Sequence, residues 1–403
     1  MTDPSLGRPF DPAAPLPGAP DPWVGSSMPA VRDAPPYAMT EMIAAEPALA
    51  ERLLTRLASD PSAVALANRL RHVAASGDQI VVTGCGTSEH AAQATVELWR
   101  DALAQAGITA QPGRIIATQA FEQSLEALDR GLLVAVSHEG GTWATNRALE
   151  AARARGAATA LITVSATSPA ARLADIVVTT QEQDASWCHT VGYLSPILAA
   201  LAVGLRAVER RVDVSLVRAL LASALTADGE AAAERVAAAF AACDRVVVVG
   251  SGADRVAARE LSLKIEEASY LPATMRDLET LLHGHLPAAD GRTGLVLILA
   301  DRRERPARIE RARHVLSAAE AIGLVAGAIV AAPVDAALDS SLTPAGRLLV
   351  PDVPGLPAPA AALIGTATPL QLLTERVARA RGTNPDTLRR TEAAYREAGE
   401  RHP

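Results

Sequence analysis

A chain of 403 residues has room for two or three domains, and its net charge of −7 leaves no broad basic surface for neutralising phosphates, so nucleic acid is not an expected partner. The longest nearly uncharged stretches, Leu194–Leu205 and Gly323–Val334, are too short to span a bilayer, so neither a membrane helix nor a membrane partner is expected. The start, Met1-Thr2-Asp3-Pro4, does not open a basic-then-apolar leader, and Cys85, Cys188 and Cys243 are odd in number and dispersed; a cytoplasmic protein with reduced thiols is expected.

Ten of the 27 prolines fall within the first 36 residues, so residues 1–37 are expected to be disordered or loosely draped. Met42, Ile43, Leu49, Leu53, Leu54 and Leu57 recur at three- and four-residue spacing, and Ala63 to Val73 continues that pattern; residues 38–76 are predicted to form two helices.

The body carries an internal repeat. Ile80-Val81-Val82-Thr83-Gly84-Cys85-Gly86 leads into a helical run through Ala91 and Ala92. Val246-Val247-Val248-Val249-Gly250-Ser251-Gly252 leads into another through Ala257 and Ala258, at an offset of 166 residues (250 − 84). Strands are predicted at Leu132–Ser137, Ala160–Val164 and Ile176–Thr179 after the first copy, and at Leu295–Ala300, Val325–Val330 and Arg347–Val350 after the second. Short apolar strands alternating with helices imply parallel sheets covered on both faces, hence two α/β/α lobes, assigned to residues 77–215 and 216–368, with a C-terminal helix and tail over 369–403. A Gly-x-Gly turn after a strand either presents helix N–H groups to an anion or simply allows close strand-to-helix packing, and the motif alone weighs these evenly. Neither copy carries the third glycine of a dinucleotide fingerprint. No metal-ligand spacing is recognised among Cys85, His90, His138, Glu139, Cys188 and His189; no metal and no cofactor is expected.

Gly84-Cys85-Gly86-Thr87-Ser88, Ser137-His138-Glu139-Gly140-Gly141-Thr142 and the block from Glu260 to Leu286 resemble the sugar isomerase (SIS) family, over about residues 40 to 390. The likeness is to the isomerase half of glucosamine-6-phosphate synthase, the amino-sugar-phosphate deaminases and the fructosamine-phosphate deglycases. It implies two tandem flavodoxin-like lobes, a homodimer and a small sugar derivative as ligand. The most specific match, Glu260-x-x-x-Lys264-x-x-Glu267-x-x-Tyr270, is similar to a family helix and sets two carboxylates and an ammonium along one helical face, a spacing that an exposed salt-bridged stripe shares. His283-Gly284-His285-Leu286 follows, where the family has His-Gly-Pro.

Aldose–ketose interconversion needs a base that moves a proton between C1 and C2, and a carboxylate whose pKa is raised by partial burial suits it; Glu267 is implied in that role. Ring opening needs a donor and acceptor that can change state near neutral pH, which an imidazole provides, and the resemblance implies His283 in that role, reaching across to a neighbouring subunit's site. Lys264 is implied to orient Glu267 or bind a substrate hydroxyl, an ion pair to Glu260 being equally compatible. The cradle departs from the family's S-x-S-G-x-T, because Glu139 replaces a serine. His189, before Thr190, either pairs with Glu139 or is an ordinary polar replacement in the pocket wall. The family's tail lysine is missing; Arg389 and Arg390 occupy the region, and an arginine grips anions but does not exchange protons. A glutamine-hydrolysing domain has no counterpart before residue 40, so synthesis from glutamine is not expected. These features lead to an enzyme acting on a sugar phosphate or amino-sugar derivative. The alternatives are a non-catalytic sugar sensor and an isomerase of an otherwise substituted sugar.

Overall fold

A computed structural model describes residues 10–19, 23, 32–108 and 114–401. The chain begins with α1 (Ala38–Leu57) and α2 (Pro61–Ser76), the two predicted helices. Every apolar residue named above in α1 is buried. α2 starts sharply because Asp60 accepts hydrogen bonds from the N–H groups of Ser62 and Ala63 ahead of Pro61, and it ends at Gly77 with φ 76°.

The first lobe follows as β1 (Ile80–Gly84), α3 (Thr87–Gln105), β2 (Ile115–Gln119), α4 (Ala120–Leu125), β3 (Leu132–Val136), α5 (Trp143–Arg155), β4 (Ala158–Thr163) and β5 (Ile176–Thr179). α6 (Val191–Ala207), α7 (Val214–Ala222) and α8 (Ala227–Phe240) lead to the second lobe. That lobe holds β6 (Arg245–Gly250), α9 (Asp254–Ser269), β7 (Ala273–Asp277), the single turn α10 (Leu278–Thr280), β8 (Thr293–Leu299), α11 (Arg305–Ile322), β9 (Val325–Ala331), the short α12 (Ala332–Asp335) and β10 (Gly346–Val350). α13 (Ala358–Ala380) and α14 (Ala393–Glu400) close the chain.

Both sheets are five-stranded and fully parallel, ordered β2-β1-β3-β4-β5 and β10-β9-β8-β6-β7. Counted from its own first strand each runs 2-1-3-4-5, so the sequence repeat is a repeat of topology, and the flavodoxin-like expectation holds. β1, β3 and β8 are buried at every position, as strands covered on both faces require. The two strands that sequence periodicity missed, β2 and β7, are edge strands in which only the first residue is buried, whereas the opposite edges, β5 and β10, keep apolar runs. With one neighbour and one covered face, an edge strand needs no continuous apolar run.

Two expectations are corrected. The boundary set at 368/369 falls inside α13, whose Pro369 lies within the helix. This helix is buried nearly all round and packs on α9, α8, α7, α1 and α3, so it ties the lobes together instead of trailing after them. Residues 10–19, part of the segment expected to be disordered or loosely draped, lie against the first lobe: Leu16 N–H donates to Glu182, Gln183 N–H donates to the Pro17 carbonyl, and Arg52 pairs with Glu182 at 2.7 Å. A proline-rich segment cannot be helical, but its remaining amides can still be satisfied by a neighbouring chain. Residues 1–9, 20–22 and 24–31 lie outside the described residues.

Candidate functional site

The turns after β1 and β3 lie at the carboxyl ends of adjacent strands, on the two sides of the point where strand order reverses, which is where open α/β sheets bind ligands. Gly84 is required by packing: a Cβ there would meet the Ser88 carbonyl at 2.6 Å, because α3 folds straight back over the strand end. Gly86, with φ 55°, then lets the chain enter α3 at Thr87. Cys85 reaches Thr145 Oγ1 of α5 at 3.8 Å and Gln119 at the end of β2 at 3.7 Å, so the ends of β1 and β2 and the start of α5 meet at it, and burial raises its thiol pKa.

In the turn after β3, Gly140 (φ 69°) sits against Ser168, and Gly140 N–H donates to Ser137 Oγ at 3.1 Å. Gly141 and Thr142 are exposed, and Thr142 leads into α5 without a side-chain cap. The Trp23 ring lies 4.0 Å from where a Cβ on Gly141 would be. His138 is buried. Its Nε2 accepts the Asp184 N–H at 3.0 Å, and burial together with the His189 ring pushes its pKa down to about 3, so it is a neutral acceptor at Nε2.

His189 is where the sequence reading needs correction. Its partner is Asp184: Nδ1 stands 3.7 Å from Asp184 Oδ2, longer than a hydrogen bond, so the attraction is chiefly Coulombic. Burial opposes the charged ring, but Asp184 outweighs it and the His189 pKa is raised. Glu139 and Lys264 exert smaller effects and neither makes an ion pair with the ring. Asp184 is held in turn by the N–H groups of Ser186, Thr190 and Gly192 at 2.7 to 3.0 Å. Burial works against its charge, but these donors and the two histidines bring its pKa down to about 2. The His138 and His189 rings lie 5.2 Å apart. Thr190 is buried, and its carbonyl accepts from Gln371 at 3.3 Å.

The second half of the site lies on α9. Glu260, Lys264 and Glu267 do share a face, but the first two are fully buried, so this is not a solvated stripe. Glu260 accepts from Thr87 Oγ1 at 3.3 Å and pairs with His90 Nδ1 at 2.7 Å, which joins α3 of one lobe to α9 of the other. Lys264 Nζ lies 2.5 Å from Glu267 Oε2 and 3.7 Å from Glu260 Oε1. Two of the arrangements left open for Lys264 therefore coexist: it pairs with Glu260 and holds Glu267. Burial disfavours its charge, yet the two carboxylates raise its pKa; for Glu260 burial is likewise outweighed, by Lys264 and His90, and its pKa is lowered. The Glu267 side chain keeps 23% of its surface accessible.

Two expected groups are not gathered with these. His283 is 69% exposed and pairs with Glu279 at 2.6 Å, on a sharp turn where Gly284 has φ 107°. Arg389 pairs with Glu392 at 2.8 Å and lies over the rings of Tyr270 and Tyr395; Arg390 is exposed over Trp187, 3.6 Å from its centroid. The tail thus approaches the site through Tyr270 and Trp187, yet Arg389 is already neutralised.

Sequence reasoning missed Asp184 and gave His90 no partner. The signal for Asp184 was Asp-Ala-Ser, an Asx-type turn in which Asp184 Oδ1 accepts the Ser186 N–H. The signal for His90 was its place one turn along α3 from Thr87. Among the described residues no cluster of three or more His, Cys, Asp or Glu has metal-binding geometry. A separate cleft of about 600 Å³ is lined by Arg71, Arg206, Arg210 and Arg211; the first three are taken up by Glu209, the Ala58 carbonyl and Gln105.

The SIS domain model matches residues 74–210 and 239–325. Among curated proteins, the glutamine–fructose-6-phosphate aminotransferase (isomerizing) of Symbiobacterium thermophilum is 33% identical over 166 residues, covering 38% of this chain and 27% of that protein. Its Pseudomonas syringae counterpart is 30% identical over 253 residues, 59% and 39% respectively, so the matches span well under half of these relatives. Among solved structures, the C-terminal domain of glucosamine-fructose-6-phosphate aminotransferase from Francisella tularensis superposes with a TM-score of 0.73 at 20% identity, covering 89% of this chain and 99% of that one. Tagatose-6-phosphate ketose/aldose isomerase from Escherichia coli does so with a TM-score of 0.69 at 19% identity, covering 88% and 97%. With one matched segment on each of two lobes of identical strand order, and more than half of its residues inside them, this chain belongs to the SIS domain family.

Proposed function

We propose that this chain is a sugar isomerase or amino-sugar deaminase that moves a proton between C1 and C2 of a sugar or sugar phosphate, with Glu267 as the base. One observation carries the reading: Glu267, partly accessible, is held at 2.5 Å by the buried Lys264, which Glu260 and His90 anchor across the lobe interface. A base that must meet one carbon-bound proton needs such fixed geometry. The relatives and neighbours named above, aminotransferases and ketose/aldose isomerases of phosphosugars by title, support the class. His283 completes the site from a second copy: its exposure on its own chain suits delivery across a homodimer interface.

The competing reading, a sugar-binding regulator without turnover, is favoured by that same exposure, because on its own chain His283 pairs with Glu279 at the surface and not with Glu267. Glu267→Gln separates the two. The amide keeps shape and removes the base, so sugar binding should persist while exchange of the substrate C2 proton with deuterated solvent, followed by NMR, falls by about 10²–10⁴-fold. Undiminished exchange in the variant, or none in the wild type, sinks the enzymatic role.

A further inference from the structure

The groups at the turn after β3 have their polar capacity assigned. Ser137 Oγ accepts from Gly140, His138 Nε2 accepts from Asp184, and His189 is matched to Asp184. Glu139 is not so matched. It is half-buried in the same turn, and among the described residues no hydrogen-bond donor or cation pairs with its carboxylate. The nearby cations are committed elsewhere: Lys264 to Glu267 and Glu260, Arg389 to Glu392. Arg390 has no carboxylate partner, but it is exposed and stacked on Trp187. Among the described residues the ion pairs of Asp184, Glu260 and Glu267 are therefore with His189, Lys264 and the His90 ring, and none of these reaches Glu139.

From this we infer that the first-lobe cradle takes a hydrogen-bond donor, not a phosphate: the ligand is an unphosphorylated sugar, and best an amino sugar whose ammonium meets Glu139. The chemistry is a matter of donors and acceptors. An ionised carboxylate accepts only, and so does a phosphate dianion, so the two cannot bond and repel at contact distance in a partly desolvated turn. A hydroxyl donates one hydrogen bond to Glu139, and an ammonium donates one while cancelling its charge. The inference rests on the sugar-binding reading above and specifies which class of sugar fits.

The test uses the full chain, D-glucosamine and D-glucosamine 6-phosphate, and titration calorimetry at fixed pH and ionic strength. The wild type should bind glucosamine at least about tenfold more tightly than its 6-phosphate, and Glu139→Ser should reverse that preference by a similar factor. Glu139→Gln, which keeps the shape but removes the charge and offers an amide donor, should lose glucosamine affinity and also relieve the penalty on the 6-phosphate, and melting temperatures should show that both variants fold. Tighter binding of the 6-phosphate by wild type, weakened in Glu139→Ser, overturns the inference; so does the failure of glucosamine to bind. Following C2-proton exchange on both sugars keeps the two readings apart. Exchange confined to the 6-phosphate sinks the cradle inference and leaves the enzyme standing, whereas glucosamine binding without exchange does the reverse.

Discussion

The two lobes share a strand order and a Gly-x-Gly turn at the same place, yet only one of those turns is open. In the first lobe the turn at Gly84-Cys85-Gly86 is flanked by exposed Gly141 and Thr142 and the half-buried Glu139. In the second, the Arg308 guanidinium lies directly over Gly252, where a Cβ would be 2.4 Å from Nη2. Arg308 is fixed there by Asp301 at 3.1 Å; Asp301 also holds Arg303 at 2.7 Å, and Arg303 reaches Glu97 of α3 at 2.9 Å. Both copies keep the glycine for the same steric reason: at Gly250 a Cβ would meet the Asp254 carbonyl at 2.5 Å. The duplicated backbone is thus a scaffold, and the side chains that follow each strand decide whether its turn receives a ligand or the protein's own ions.

The sharpest way to break this comparison is Asp301→Asn. It leaves Arg303 and Arg308 short of a buried counterion, so unfolding in urea should show a loss of about 3–5 kcal/mol, with sugar affinity little changed. A large loss of affinity at unchanged stability would make the second turn a ligand site after all.

The buried aspartates of the two lobes also differ in charge. Burial raises the Asp254 pKa to about 7, Asp301 adding to the effect while the N–H groups of Ala300 and Asp301 oppose it; Asp184, at about 2, is shifted the other way. Folding therefore favours protonated Asp254, whose contribution is complete below its ordinary value of 3.8 and is lost as pH rises through about 7. The contribution of Asp184 is complete above 3.8 and is lost as pH falls through about 2. Asp254→Asn should consequently gain on wild type as pH rises from about 4 to 7, by on the order of a few kcal/mol, in unfolding free energies measured across that range. A pH-independent gap between the two would contradict the assignment.

The smallest expected effect concerns the tail. Arg390 is exposed and held by one ring face, so Arg390→Ala should leave the melting temperature nearly unchanged and alter sugar affinity by less than about threefold. A tenfold or greater loss for a phosphorylated sugar alone would bring the tail into the site.

Much of this was legible in the chain. The repeat at an offset of 166 residues, the apolar strands and the helix through Glu260, Lys264 and Glu267 are local patterns, and periods of 2 and 3.6 express them directly. The edge strands β2 and β7 were not legible because Ile115–Gln119 and Ala273–Asp277 carry polar or charged residues in place of the apolar run that the other edge strands, Ile176–Thr179 and Gly346–Val350, retain. The pairing of His189 with Asp184, in place of Glu139, was also hidden: the choice depends on where α6 begins and which backbone amides surround the carboxylate.

By itself, then, the sequence determined the class of fold, the duplication, and which helix carries the carboxylates and the lysine, since each is expressed in short local patterns, the duplication in two like patterns 166 residues apart. Tertiary structure alone decided that His90 of one lobe anchors Glu260 of the other, that Arg308 closes the second turn, and that Glu139 has no partner among the described residues. Those outcomes join residues as far as 170 positions apart, and burial removes the water that would otherwise let each charge stand alone.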